Sequence, residues 1–128
     1  MSDGLLDTSV LIAADSSGFE LPSVAAISVV TVGELRAGVL LAPEESIRQL
    51  RQRRLDAIRG AFAPLPVDEP VAERYGELLA LARSQRRTAK ATDLLIAATA
   101  AATGRTLYTL DRSQAELARA ADIAVETF

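Results

Sequence analysis

The 128-residue chain contains no histidine, no cysteine and no tryptophan, and its only lysine is Lys90. Without imidazole there is no histidine general base, no Ser-His-Asp triad and no histidine-ligated metal. Without thiols there is no thiolate nucleophile, zinc finger, iron–sulfur cluster or disulfide. Lys90 follows no glycine-rich run, which excludes a P-loop phosphate cradle. The longest uncharged stretches, Leu21 to Gly33 and Leu94 to Gly104, fall short of the ~20 apolar residues that span a bilayer. The start, Met1-Ser2-Asp3-Gly4, lacks the basic region and apolar run of a secretory signal. The expectation is a cytoplasmic protein with no membrane partner. Its chemistry must come from carboxylates, hydroxyls, arginines and a hard metal ion.

What is present fits one α/β domain over residues 1–128. Apolar residues make up 49% of the chain, enough for one core at this length and too few for two. With 14 basic and 17 acidic side chains the net charge is −3, so nucleic acid would need a local basic face. Two clusters offer one: Arg48, Arg51, Arg53, Arg54 and Arg59, and then Arg83, Arg86, Arg87 and Lys90.

Strands are expected at Leu5-Leu6, Ala25 to Val30 (β-branched), Pro64 to Asp68 (proline-flanked, hence an edge), Arg105 to Leu110 and Ile123 to Phe128. Helices are expected at Thr8 to Ala14, Thr31 to Ala42, Glu44 to Ala61, Val71 to about Arg83, Ala91 to Thr103 and Ser113 to Ala120. A loop is expected at Ser16 to Ser23, and Asp68 should cap the helix after it. From Leu94 to its end at Gly104 the fifth helix carries no charge, so it should be buried on every side and closed by that glycine. The order βαβααβααβαβ implies a parallel sheet of about five strands between layers of helices.

Ligands of such sheets bind at the carboxyl ends of the strands. Asp7 and Asp111 end predicted strands, Glu34 lies in the first turn of the helix after the second strand, and Asp93 opens the helix leading back to the fourth. Four acids thus share one rim. Unpaired carboxylates repel, and a divalent cation relieves that; ligation by oxygen alone suits Mg²⁺ or Mn²⁺. Each acid also has a plainer role: Asp7 as a cap, Glu34 as a dipole partner, Asp93 behind a Thr92 cap, Asp111 in a turn.

Four segments, Leu5 to Ile12 (LLDTSVLI), Ser28 to Leu35 (SVVTVGEL), Asp93 to Ala100 (DLLIAATA) and Leu107 to Asp111 (LYTLD), resemble the signature blocks of PIN-domain ribonucleases. Order, spacing and size are similar to bacterial VapC toxins over nearly the whole chain. The resemblance implies that Asp7, Glu34, Asp93 and Asp111 are catalytic metal ligands, with Thr8, Ser9 and Thr109 supporting them. Ser113 and Gln114 depart from it, standing where the family often has a further Asp and an aromatic, which leaves open one ion or two. The implied activity is Mg²⁺-dependent cleavage of RNA to 5′-phosphate and 3′-hydroxyl ends, with Asp93 or Glu34 as proton acceptor. Arg83, Arg86, Arg87 and Lys90 would hold RNA phosphates, whereas the Arg48 to Arg59 face reads as solvated.

The resemblance also implies a homodimer and a VapB-type antitoxin, joined in a heterotetramer or larger. The antitoxin would lie over apolar surface from Val10 to Ala14 and Val39 to Ala42, near Leu50 and Leu55, and send a basic side chain into the acidic pocket. A receiver domain is disfavoured by the lack of an acid pair near Asp7 and of a lysine at a strand end. A haloacid-dehalogenase-like phosphatase would need an Asp where Ser9 stands. The alternative that stays open is a catalytically silent PIN-like binding module.

Overall fold

The computed structural model describes residues 3–13 and 20–128. Its elements run β1 (Gly4–Leu6), α1 (Thr8–Ala13), β2 (Ala25–Ser28), α2 (Val29–Leu40), α3 (Glu45–Ala61), β3 (Pro64–Leu65), α4 (Glu69–Ser84), α5 (Ala91–Thr103), β4 (Thr106–Tyr108), α6 (Arg112–Ala120) and β5 (Val125–Glu126). The alternation is the expected one. Ala14 and the Ser16 to Gly18 part of the expected loop lie outside the described residues.

All five strands are parallel, in the order β3-β2-β1-β4-β5. The proline-flanked β3 is at an edge, as its missing N–H groups require. In the central strand the side chains alternate between two fully buried clusters. Leu5 packs with Leu78, Ile96, Leu107 and Leu117, whereas Leu6 packs with Leu11, Ile27 and Ile58. One sheet face therefore carries α4, α5 and α6, and the other carries α1 and α3. Helix α5 buries six consecutive or near-consecutive positions, Leu94 and Ile96 to Ala100, and Gly104 closes it in the left-handed region at φ 66°. No described helix is long and apolar enough to cross a membrane.

Two boundaries that bear on the site differ from the sequence reading. Val29 and Val30 open α2 instead of extending β2, because the Ser28 hydroxyl accepts the Val30 N–H at 3.0 Å and caps the helix. That cap overrides the strand preference of two valines. Glu34 accordingly sits in the second turn of α2, not the first. At α5 the residue in the cap position is Lys90, without a side-chain bond, and Thr92 is already helical. Asp68 does cap α4, accepting the Val71 N–H at 3.2 Å.

The sheet tightens around Gly4. A methyl group there would overlap the Pro22 ring and come within 2.9 Å of the Tyr108 ring. Gly4→Ala should therefore destabilise the fold by about 1–3 kcal/mol, the usual cost of overpacking. Urea denaturation of the two proteins measures it.

Candidate active site

From β1 the chain proceeds to β2 on one side, and from β4 it proceeds to β5 on the other. The two connections diverge, and between the carboxyl ends of β1 and β4 they leave the crevice in which open parallel sheets bind ligands. Asp7 stands there. Its N–H donates to the Tyr108 carbonyl at 2.9 Å, one step past the end of β1, so the ladder itself sets where the residue lies. With 4% of its surface exposed, Asp7 is the only charged residue that is buried among those described.

A buried carboxylate needs donors. Asp7 Oδ2 accepts the Ser9 hydroxyl at 2.6 Å and the Ser9 N–H at 3.1 Å, and the Thr109 hydroxyl lies 3.3 Å away. Oδ1 faces the Gln114 amide nitrogen at 3.5 Å. Ser9 also accepts the Leu110 N–H at 3.1 Å, tying the start of α1 to the loop after β4. Thr8 turns the other way, with its hydroxyl 2.7 Å from Glu34 Oε1 and 3.1 Å from Thr31 Oγ1. Asp111 caps α6 by accepting the Gln114 N–H at 3.1 Å through Oδ1. Thr8, Ser9 and Thr109 therefore all touch an acid or its immediate support.

Asp93 is in the first turn of α5, and its carboxyl pKa is raised to about 6 by burial and then by the charges of Asp7, Asp111 and Glu34, with Lys90 opposing. The other three acids thus all bear on Asp93. Among the described residues, however, no three acidic side chains gather closely enough to hold an ion unaided. The donor set, four carboxylates and neutral hydroxyls, matches a hard divalent cation that keeps part of its water shell. On that chemistry the residues fit Mg²⁺ or Mn²⁺.

A cleft of about 250 Å³ between α5 and α6 is lined by Lys90, Asp93, Leu94, Asp111, Gln114 and Leu117. Another of about 270 Å³ lies across the rim, beside Thr8, Glu34, Arg51 and Arg54.

The family model described as PIN domain matches residues 4–120. The chain belongs to the PIN-domain family. Ribonuclease VapC8 of Mycobacterium tuberculosis (strain H37Rv) is 46% identical over 101 residues, 76% of this chain and 89% of that protein. Ribonuclease VapC5 of the same strain is 40% identical over 128 residues, 95% and 93% of the two chains. The crystal structure of VapBC-5, a member of the VapBC family of toxin-antitoxin systems from Mycobacterium tuberculosis, superposes with a TM-score of 0.88 at 33% identity, covering 100% of both chains. The likeness to VapC-type PIN domains read from four short blocks extends to the whole fold.

Other expected residues of this PIN domain divide by burial. Val10, Leu11, Val39 and Leu55 are core, whereas Ile12, Leu40, Leu41 and Leu50 are about half exposed or more. Arg83 and Arg86 are exposed, while Arg87 pairs with Glu116 at 3.4 Å. The arginine face of α3 is not merely solvated: Arg51 donates to the Gly38 carbonyl at 2.8 Å and fastens α3 to α2.

The sequence reading missed what Gln114 does. Asp111-Arg112-Ser113-Gln114 has the spacing of a capping box, whose glutamine would reach back to the cap N–H. Thr109 takes that N–H instead, at 3.0 Å, and the Gln114 side chain turns inward with only 6% of the residue exposed.

The raised pKa of Asp93 has a stability consequence. Above its folded pKa of about 6 the carboxylate is held ionised against burial and three neighbouring charges. Between the unfolded value near 4 and that folded value the native state binds more protons, so this group's contribution improves as pH falls. Metal-free protein should therefore gain thermal stability from this source between pH 7 and pH 5. Asp93→Asn should melt higher than wild type at pH 7.5 in EDTA and lose that part of the pH dependence. Melting curves at several pH values check both.

Proposed function

We propose that this protein is a metal-dependent endoribonuclease, the toxin of a toxin–antitoxin pair. The observation that carries the reading is the rim at which the charges of Asp7, Asp111 and Glu34 bear on Asp93, in a chain whose relatives are named ribonucleases. A bound Mg²⁺ or Mn²⁺ would supply an activated water and charge neutralisation at the scissile phosphate. Asp7, fixed at the end of the central strand, and Asp111, fixed by its cap, would hold the ion, with Glu34 and Asp93 completing the set.

In the absence of histidine the proton from the attacking water passes to a carboxylate. Asp93, which lines the cleft beside Lys90 and Asp111, is the acceptor we favour. Attack by water with departure of the 3′-oxygen, which takes up a proton, leaves a 5′-phosphate and a 3′-hydroxyl. Lys90, which lines the cleft that contains Asp93, and the exposed Arg83 and Arg86 would hold phosphates of the RNA backbone. The antitoxin would cover the side of α1 and α3 where Leu11, Leu50, Ala57 and Phe62, with Arg53 and Arg54, line a groove of about 450 Å³.

Induction of wild type and of Asp93→Asn in a bacterial host, followed by mapping of new RNA 5′ ends, tests the activity. Discrete ends should appear with wild type and fall by roughly 10²- to 10⁴-fold with the variant, the range for loss of a general base. Equal ends from both proteins would reject the assignment of Asp93, and a wild type that cuts no RNA would favour the silent binding module. A second test concerns affinity. Arg86→Gln with Lys90→Gln should weaken binding to a single-stranded RNA probe and flatten its log–log salt dependence by about 0.7 for each phosphate no longer neutralised.

A further inference from the structure

Gln114 joins the segments that carry three of the four acids. Its amide oxygen accepts the Thr109 hydroxyl at 2.7 Å, at the end of β4. Its amide nitrogen faces Asp7 Oδ1 at 3.5 Å and the Asp93 carbonyl at 3.1 Å. Its backbone N–H donates to Asp111 Oδ1 at 3.1 Å. The polarity of the amide follows from chemistry. Both partners of the nitrogen, a carboxylate oxygen and a peptide carbonyl, can only accept, so a reversed amide would set its oxygen against two acceptors.

Thr109 fixes the other end. Its oxygen already accepts the Asp111 N–H, and its single proton has Gln114 Oε1 at 2.7 Å and Asp7 Oδ2 at 3.3 Å to choose between. The shorter bond takes it. Asp7 Oδ2 remains satisfied by Ser9, and Oδ1 keeps one long bond to a neutral donor. A carboxylate oxygen so lightly held has lone-pair capacity to spare.

We propose that Gln114 is a positioning residue that holds the Asp7 carboxylate and the first turn of α5 in fixed relation, so that Asp7 presents Oδ1 to the bound cation. The inference rests on the metal-dependent reading above and assigns a role to the position at which this chain departs from the family pattern. A neutral amide suits the task. It spans two acceptors without adding a fifth negative charge to a rim already crowded with four.

The test uses purified, EDTA-stripped full chain and Mn²⁺ as probe, with binding read by electron paramagnetic resonance. Gln114→Met keeps the volume and removes the amide, and Gln114→Asn keeps the amide but is one methylene too short to span the gap. Both should bind Mn²⁺ about 10-fold more weakly than wild type, at the low end for outer residues that orient metal ligands. Leu78→Val, in the same core but outside both the network and the cleft, should lose thermal stability with unchanged Mn²⁺ affinity. Wild-type affinity in both Gln114 variants would overturn the inference, as would an equal loss in Leu78→Val. If wild type itself binds no Mn²⁺, the metal reading fails, and carbon-13 resonances of the metal-free protein decide the positioning role. Gln114→Met must then move the Asp7 carboxyl and Asp93 carbonyl signals, and unmoved signals overturn it.

Discussion

A buried carboxylate at the end of the central strand constrains everything around it. Asp7 is nine-tenths shielded from water or more and has no cationic partner among the described residues, so its charge is met by hydroxyl and amide donors alone. Those donors belong to α1 and α6, and Thr109, in the turn after β4, holds the Gln114 amide that supplies one of them. Satisfying one oxygen pair therefore fixes how three segments meet at the carboxyl edge. Neutral donors leave the negative charge in place.

Sheet topology makes this arrangement possible. Because β1 lies between β2 and β4, with its two successors on opposite sides, the loops after β1 and β4 part and open a crevice. Helix α5 delivers Asp93 into it from a segment buried almost throughout. Its first turn sits at the surface, while the turns behind it are locked in the core. Raised proton affinity at Asp93 is the local result of bringing a fourth carboxylate to a rim that is partly out of water.

Hydroxyl side chains divide the labour. Ser9 serves Asp7 and Thr8 serves Glu34, so one turn of α1 addresses acids on both sides of the rim, while Thr109 serves Gln114. Thr109 also accepts the N–H of Asp111, which leaves Gln114 free of its capping-box duty. The basic residues are arranged differently. Arg51 and Arg87 are spent on intramolecular contacts, whereas Lys90 lines the cleft that contains Asp93.

The order of elements, the parallel sheet, the buried α5 with its glycine cap and the edge position of β3 were all legible in the sequence. They follow from periodicity and from the backbone chemistry of single residues, which act over a few neighbours. Asp7, Glu34, Asp93 and Asp111 could likewise be placed on one edge, because strand direction alone assigns an end. The start of α2 was not legible: a serine cap outweighed two valines, and propensity does not rank those effects. Nor was the role of Gln114. Its spacing from Asp111 predicts a local bond, and only the packing of β1, β4 and α5 around α6 brings nearer partners and turns the side chain inward. Residue type and short-range pattern determined the architecture and which acids meet at the carboxyl edge. Tertiary structure decided which donor meets which acceptor, because hydrogen bonds of about 3 Å depend on the approach of residues as far apart in the chain as Asp7 and Gln114.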